Sequence, residues 1–223
     1  MKKTRVPILA LLGLVCLALH SCITSDQLVT LTIHPDGSAD WVRFQSNIRS
    51  TQEGDEGARE LKRFAEDFET GRDPDLVRVR ESGGEVLEAR WVRSEEPYAS
   101  VVSARFPRAA ALEAFFSQQD DRGEKVVETR FTRDGKRRRL SIRIARNDQL
   151  AAGLRRTESD RREDRATSVS ETRIAVVGGR ITAVRGFAVA ADRRSALLDL
   201  AEIGDLMQGG ATELFLEWEV RSD

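Results

Sequence analysis

Residues 28–48, LVTLTIHPDGSADWVRFQSNI, indicate how the folded part of this 223-residue chain is built. Apolar residues alternate with threonines from Leu28 to Ile33, which is the period of a half-buried β-strand. The segment Pro35–Ser38 follows, and its Asp-Gly pair favours the positive φ angles of a tight turn. Residues 39–48 then return with a second set of large apolar residues. The sequence therefore predicts an antiparallel hairpin.

Other stretches show the same strand–turn–strand pattern. Hairpins are predicted over 76–92, 126–145 and 172–189, each with glycine at its turn. Single strands are predicted over 98–106 and over 214–220, where apolar residues alternate with glutamates. Strands joined by tight turns are antiparallel, so we expect an antiparallel β-sheet built from hairpins.

Three amphipathic helices are expected to pack on one face of this sheet. The first has Ala58, Leu61, Phe64, Ala65 and Phe68 at helical spacing, and it ends before Gly71 and Pro74. The second follows Pro107, and the third runs from Asp192 to about Met207. The predicted fold class is α+β, with residues 28–223 forming a single domain.

Two charged stretches interrupt this pattern. Residues 146–167 are dense in arginine and acidic residues, which is typical of an exposed loop or a solvated helix. The basic run 136–139 lies at a predicted hairpin turn. A solvated hairpin tip is the simpler interpretation of this run, and a patch for phosphate or lipid headgroups is the alternative.

The N-terminus has the pattern of an export signal. Lys2, Lys3 and Arg5 precede an apolar run over 6–19, about 14 residues, which is short for a membrane-spanning helix of roughly 20. The run ends in Leu-His-Ser-Cys at 19–22, which resembles the lipobox of bacterial lipoproteins. An ordinary signal peptide cut elsewhere and an uncleaved anchor helix are the alternatives.

The lipobox resemblance implies specific processing. Residues 1–21 would be the signal peptide, with cleavage between Ser21 and Cys22, and the Cys22 sulfur would carry a diacylglyceryl group. Residues 22–27 would then form the lipidated N-terminus and tether. Two or three acyl chains hold a protein stably at a bilayer. Because Ile23 replaces the aspartate that retains lipoproteins at the inner membrane, the resemblance implies the outer membrane, facing the periplasm, in a Gram-negative organism.

Composition excludes several classes of function. Removing the leader, with three basic and no acidic residues, leaves 33 basic and 37 acidic residues, a formal charge of −4 that does not attract nucleic acid. The mature chain would have no free thiol, and His34, at the end of a strand, would be its single histidine. We find no phosphate-binding glycine loop, cofactor motif, metal motif or catalytic constellation. We therefore expect no enzyme activity, no cofactor, and a surface position for His34.

Three functions remain open. The first is a non-catalytic, membrane-anchored envelope lipoprotein whose domain binds an envelope protein, a lipid or a wall component. The second is a module for lipids or other hydrophobic ligands. The third is a hydrolase using either carboxylates, such as the pairs at 95–96 and 120–121, or a serine with an unusual base. Candidate lining for a hydrophobic ligand is aromatic: Trp41, Phe64, Phe68, Trp91, Phe115 and Phe116.

One more resemblance concerns the start of the folded domain. A lipobox cysteine shortly before a strand and its Asp-Gly turn, over Leu28 to Gly37, resembles the start of LppM-like bacterial lipoproteins. This resemblance implies an antiparallel sheet with helices and ligand binding at the cell envelope. Where members of that family carry a C-terminal membrane-spanning segment, this sequence has the polar residues EVRSD at 219–223.

Overall fold

A computed structural model describes residues 23–119, 123–145, 170–208 and 210–221. The predicted signal peptide, the cleavage site at Ser21 and the lipidation site at Cys22 lie outside these residues. So do the acidic pair at 120–121 and the charged segment 146–167.

Strands dominate the described residues, and helices are fewer. The strands are β1 (Ile23–Ile33), β2 (Ala39–Ser50), β3 (Glu85–Arg93), β4 (Tyr98–Phe106), β5 (Gln118–Gln119), β6 (Lys125–Asp134), β7 (Arg137–Ile144), β8 (Ser170–Val176), β9 (Gly179–Arg185), β10 (Phe187–Val189), β11 (Ser195–Leu198) and β12 (Thr212–Val220). The helices are α1 (Gly54–Glu69), α2 (Pro74–Glu81), α3 (Ala109–Phe116) and α4 (Leu200–Gln208). None of these helices is long and apolar enough to cross a bilayer.

The strands form two sheets, so the prediction of one antiparallel sheet is wrong. The first sheet has seven strands in the order β10-β11-β8-β1-β2-β4-β3, and the second has five in the order β5-β6-β7-β12-β9. The first sheet is mixed, because β8 pairs with β1 in parallel, with Gln27 opposite Ser170 and Ile33 opposite Val176. A parallel pair requires a long connection between its strands, and alternation within a strand carries no information about such a partner.

Two predicted hairpins and the final strand are confirmed. β1 and β2 pair antiparallel, as do β6 and β7, and β12 closes the second sheet against β7 and β9. β1 begins earlier than predicted, since Ile23 is already paired with Ser50. Residues 23–27, assigned to a tether from the sequence, therefore belong to the sheet.

The predicted hairpin over 76–92 is wrong in its first half, which is helix α2. Pro74 occupies the first helical turn, where its missing N–H costs nothing. The Asp73 side chain caps the helix by accepting hydrogen bonds from the backbone N–H groups of Asp75 and Leu76. Leu76 and Val79 are buried three residues apart, a spacing that fits one face of a helix.

The predicted hairpin over 172–189 is also wrong. β8 joins the first sheet and β9 the second, so the turn between them is a corner where the chain changes sheets. The third predicted helix is shorter than expected, because residues 195–198 form β11, which pairs with β8. The Asp199 side chain accepts a hydrogen bond from the Glu202 N–H, and the helix begins at Leu200.

The buried faces of both sheets contribute to one hydrophobic core. Alternate residues of β1 and β12 are buried, including Ile33 and Trp218, which are completely inaccessible. Helix α3 is the most apolar helix and buries Leu112, Phe115 and Phe116 in the same core. The helices therefore pack around a core shared by two sheets instead of covering one face of a single sheet.

Candidate functional site

A buried group of charges lies beside the core, and we call Arg43, Asp73 and Asp75 the Arg43 cluster. Arg43 lies on the buried side of β2, at a position where strand alternation would otherwise place an apolar residue. Its Nη2 donates a hydrogen bond to Asp73 Oδ2 at 3.1 Å, and its Nη1 donates to Asp75 Oδ2. The side chains of Arg43 and Asp73 are each 4% exposed and that of Asp75 is 25% exposed. The cluster fixes the first turn of α2 against β2.

Burial and charge act in opposite directions within this cluster. Burial lowers the pKa of Arg43, but the Asp75 and Asp73 carboxylates raise it by more, so the guanidinium stays charged. Burial raises the pKa of Asp75, the attraction of Arg43 lowers it, and the Asp73 carboxylate raises it again, with a net increase. Two carboxylates therefore share one buried cation.

Arg78 lies one turn along α2 from Asp75 and extends this charged region to the surface. Its Nη2 donates to the backbone oxygen of Ser117 at 2.8 Å, and its guanidinium lies 5.8 Å from the ring centroid of Phe115. Burial lowers the pKa of Arg78, partly opposed by the Asp75 and Glu81 carboxylates. Arg78 is thus a partly desolvated cation held in a fixed position.

Arg78 lines a cavity of about 590 Å³ that we call the Gln118 cavity. The end of α2, the end of α3, β5 and the start of β6 form its walls. Its polar lining includes Arg78, Glu81, Ser82, Ser117, Gln118 and Lys125. This volume falls within the range of small-ligand sites.

Gln118 is the unusual residue of this cavity. It is only 8% exposed, and among the described residues neither its amide nitrogen nor its amide oxygen has a hydrogen-bond partner. Its neighbours are satisfied: Ser117 Oγ accepts from the Thr129 N–H at 2.9 Å, and Lys125 Nζ lies 2.8 Å from Glu128 Oε1. Buried polar groups are nearly always hydrogen-bonded, so the unpaired amide makes Gln118 the candidate ligand-contacting residue of this cavity.

The aromatic residues proposed from the sequence as ligand lining lie elsewhere, in two groups. Trp41, Phe115 and Phe116 pack together, with ring centroids 5.3 Å apart for Trp41–Phe115 and 4.9 Å for Phe115–Phe116. Phe64 and Phe68 pack on Trp91 at 6.1 and 4.6 Å. None of the six lines the Gln118 cavity. Sequence patterns do not single out Arg78 and Gln118, because Arg78 lies in a predicted strand and Gln118 has the same residue type as its exposed neighbour Gln119.

His34 lies at the end of β1, as predicted, and is about one-third exposed. Its Nε2 lies 3.0 Å from Asp40 Oδ2. This hydrogen bond lowers the pKa of Asp40, burial raises it by less, and Arg105 lowers it further. Across the described ranges, no hydroxyl group is hydrogen-bonded to His34, and no group of three or more His, Cys, Asp or Glu side chains is arranged to hold a metal ion.

The described residues form two sheets with a few helices, and the Gln118 cavity lies at the ends of α2 and α3. No family model and no curated protein matches the chain. Among solved structures, the folded domain of LppM from Mycobacterium tuberculosis is similar at 12% identity and a TM-score of 0.42, over 89% of this chain and 91% of that chain. The mu homology domain of Fcho1 from Danio rerio gives 10% identity and a TM-score of 0.19, over 92% and 82%. Neither similarity assigns the chain to a family.

Proposed function

We propose that the chain is a non-catalytic lipoprotein of the bacterial cell envelope whose domain binds a small, polar, carboxylate-bearing ligand in the Gln118 cavity. The observation that carries the proposal is the nearly buried, unpaired amide of Gln118 in a cavity of about 590 Å³. The proposed location rests on the lipobox-type leader ending at Cys22. In a Gram-negative organism, the anchored domain would face the periplasm from the outer membrane.

The side chains of the cavity specify the chemistry of the ligand. The Gln118 amide offers two donors and one acceptor, which suits an amide or a pair of hydroxyl groups. Arg78 and Lys125 also line the cavity, and a guanidinium pairs well with a carboxylate. N-acetylmuramic acid combines a carboxylate, an acetamide and hydroxyl groups in one wall sugar. A fragment of the cell wall is therefore the ligand class that these residues suit best.

The alternative of a hydrophobic-ligand module has less support. The aromatic residues that would line such a site pack against one another, and Trp41, Phe68, Phe115 and Phe116 are buried in the core. Seven of the eight residues that line the Gln118 cavity are polar in type, and none is aromatic. A carboxylate-dependent hydrolase has no supporting arrangement among the described residues.

Replacing Gln118 with leucine is expected to raise the stability of the domain and to abolish ligand binding. Leucine keeps the volume and removes the unpaired amide, so the free energy of unfolding should rise by about 1–2 kcal/mol. Binding of N-acetylmuramic acid should be lost, because its hydrogen-bond partner is gone. Urea unfolding and titration calorimetry measure the two effects.

Two controls sharpen this test. Gln119→Leu changes an exposed neighbour, and its stability should stay within about 0.5 kcal/mol of wild type. N-acetylglucosamine lacks the carboxylate and should bind the wild type more weakly than N-acetylmuramic acid. A destabilised Gln118→Leu variant, or equal binding of the two sugars, would contradict the proposed site.

The lipid anchor is tested by Cys22→Ala in the full precursor expressed in a bacterial host. The wild type is expected to lose residues 1–21, gain the mass of a diacylglyceryl group and fractionate with membranes. Cys22→Ala should show neither the cleavage nor the added mass. Intact-mass analysis of both proteins decides the question, and identical processing of the two would refute the anchor.

A further inference from the structure

A second cavity, of about 580 Å³, lies at the end of β1 remote from Ile23, and we call it the Arg193 cavity. Four segments meet there: the turn between β6 and β7, the start of β9, the turn between β10 and β11, and the end of β12. The Val220 N–H donates to the Lys136 oxygen at 3.0 Å, and the Arg221 N–H donates to the Gly178 oxygen at 2.9 Å. Four of its lining residues are basic: Lys136, Arg180, Arg193 and Arg221.

The positive charges of this cavity are largely uncompensated. Among the described residues that line it, Glu219 is the acidic one, and Glu219 Oε1 lies 3.6 Å from the Nε of Arg137, which is outside the cavity. Within the described ranges, Lys136, Arg180 and Arg221 take part in no ion pair. A group of four cations is notable in a chain whose formal net charge is −1. Their fields add within a concave surface and attract anions.

Arg193 is held in place by the backbone around it. Its Nε donates to the Ile181 oxygen at 2.8 Å and its Nη2 to the Thr182 oxygen at 3.3 Å, while its own carbonyl accepts from the Ile181 N–H. It adopts a φ of +55°, a conformation that costs free energy in a residue with a side chain. The surrounding hydrogen bonds therefore keep this guanidinium in position before any ligand arrives, which lowers the entropy cost of binding.

We propose that the Arg193 cavity binds a soluble, multiply charged anion of the phosphate or diphosphate type. Several arginines and a lysine around one cavity suit such an anion, because one guanidinium can donate two parallel hydrogen bonds to two phosphate oxygens. The choice of a soluble anion over a lipid headgroup rests on the proposed anchor at Cys22. The anion site itself does not depend on that anchor. Ten strand residues at about 3.3 Å each place Ile33 roughly 30 Å from Ile23, so with β1 upright on the anchoring membrane the cavity lies beyond the reach of its headgroups.

Titration of the full chain in nonionic detergent micelles with pyrophosphate tests this proposal. Arg180→Gln and Arg221→Gln should each weaken binding by about tenfold or more, since each removes a charged hydrogen-bond partner. The matched control is Arg185→Gln, an exposed arginine on the same strand as Arg180 that does not line the cavity. It should stay within about twofold of wild type, because it removes only a distant, screened charge.

Further measurements distinguish the Arg193 cavity from the Gln118 cavity and from a lipid-binding surface. Gln118→Leu should leave pyrophosphate binding unchanged, so failure of one cavity does not imply failure of the other. Circular dichroism and urea unfolding establish that each variant is folded. No measurable pyrophosphate binding, or an equal loss in Arg185→Gln, would overturn the site. Stronger binding to micelles containing phosphatidylglycerol than to pyrophosphate would overturn the soluble source.

Discussion

Replacing Arg43 with methionine is expected to lower the free energy of unfolding by about 3–5 kcal/mol. Methionine has a similar length and fills the space, but it leaves Asp73 and Asp75 without their cation. Asp73 is nearly inaccessible to solvent, so its carboxylate gains little from water once the guanidinium is gone. The first turn of α2 should loosen with it, because the same Asp73 side chain caps that helix.

Urea unfolding of the variant and the wild type gives this difference. Arg93→Met on β3 is the matched control: Arg93 is exposed, and the change should stay within about 0.5 kcal/mol. Adding Asp75→Asn to Arg43→Met should recover part of the loss by removing one uncompensated carboxylate. If the double variant is less stable than Arg43→Met, the argument from unpaired charge is wrong.

Replacing Gly186 with alanine is expected to cost about 2–4 kcal/mol, from two sources. Gly186 adopts a φ of +80°, which strains any residue that has a side chain. An added Cβ would also lie 2.6 Å from Leu214 Cδ2 and 3.3 Å from Ile203 Cγ1, inside the shared core. Overpacking of this kind typically costs about 1–3 kcal/mol, and the backbone strain adds about 1 kcal/mol or more.

Gly135→Ala separates the two sources. Gly135 has a φ of +53° at the turn between β6 and β7, and a Cβ there would meet nothing within 4 Å. The free energy of unfolding of that variant should therefore fall only by the cost of the backbone strain, about 1 kcal/mol. Thermal or urea unfolding of both variants measures the difference, and equal losses would show that the contact with Leu214 is relieved at little cost.

Local patterns in the sequence predict much of the fold. Alternation indicates β1, β2, β6, β7 and β12 because each has one buried and one exposed face, and the Asp-Gly pairs indicate their turns. Helices α1 and α3 are predictable because their apolar residues recur at helical spacing. These elements depend on residues close in sequence, so local sequence patterns predict them directly.

Pairings between distant strands cannot be read in the same way. The sequence around Gly178 indicates a turn, but whether β8 and β9 then pair depends on partners far along the chain. β8 pairs with β1 and β11, and β9 pairs with β12. Helix α2 is hard to predict for a different reason: five residues of alternating leucine, valine and arginine fit a strand or a helix equally well, and Asp73 and Pro74 decide between them.

The candidate site was the least predictable part. Gln118 and Gln119 are identical in type, and only the packing of α3 and β6 makes one buried and the other exposed. Arg43 occupies an apolar position of the β2 pattern, and its partners lie about 30 residues further along the chain. The basic run at 136–139 is predicted to lie at a hairpin tip, but Lys136, Arg180, Arg193 and Arg221 come together only where four separate segments meet.

The early start of β1 limits how far the domain could move from a membrane to which Cys22 anchored it. Flexible linkers let a tethered domain search a volume whose radius grows with the square root of the linker length. Ile23 is already paired with Ser50, so no slack chain separates it from the sheet. A copy held at Cys22 would move with its bilayer as a low, fixed protrusion. Wall fragments and soluble anions would have to diffuse to it. The greatest distance from the bilayer at which it could bind them would be the height of the domain itself.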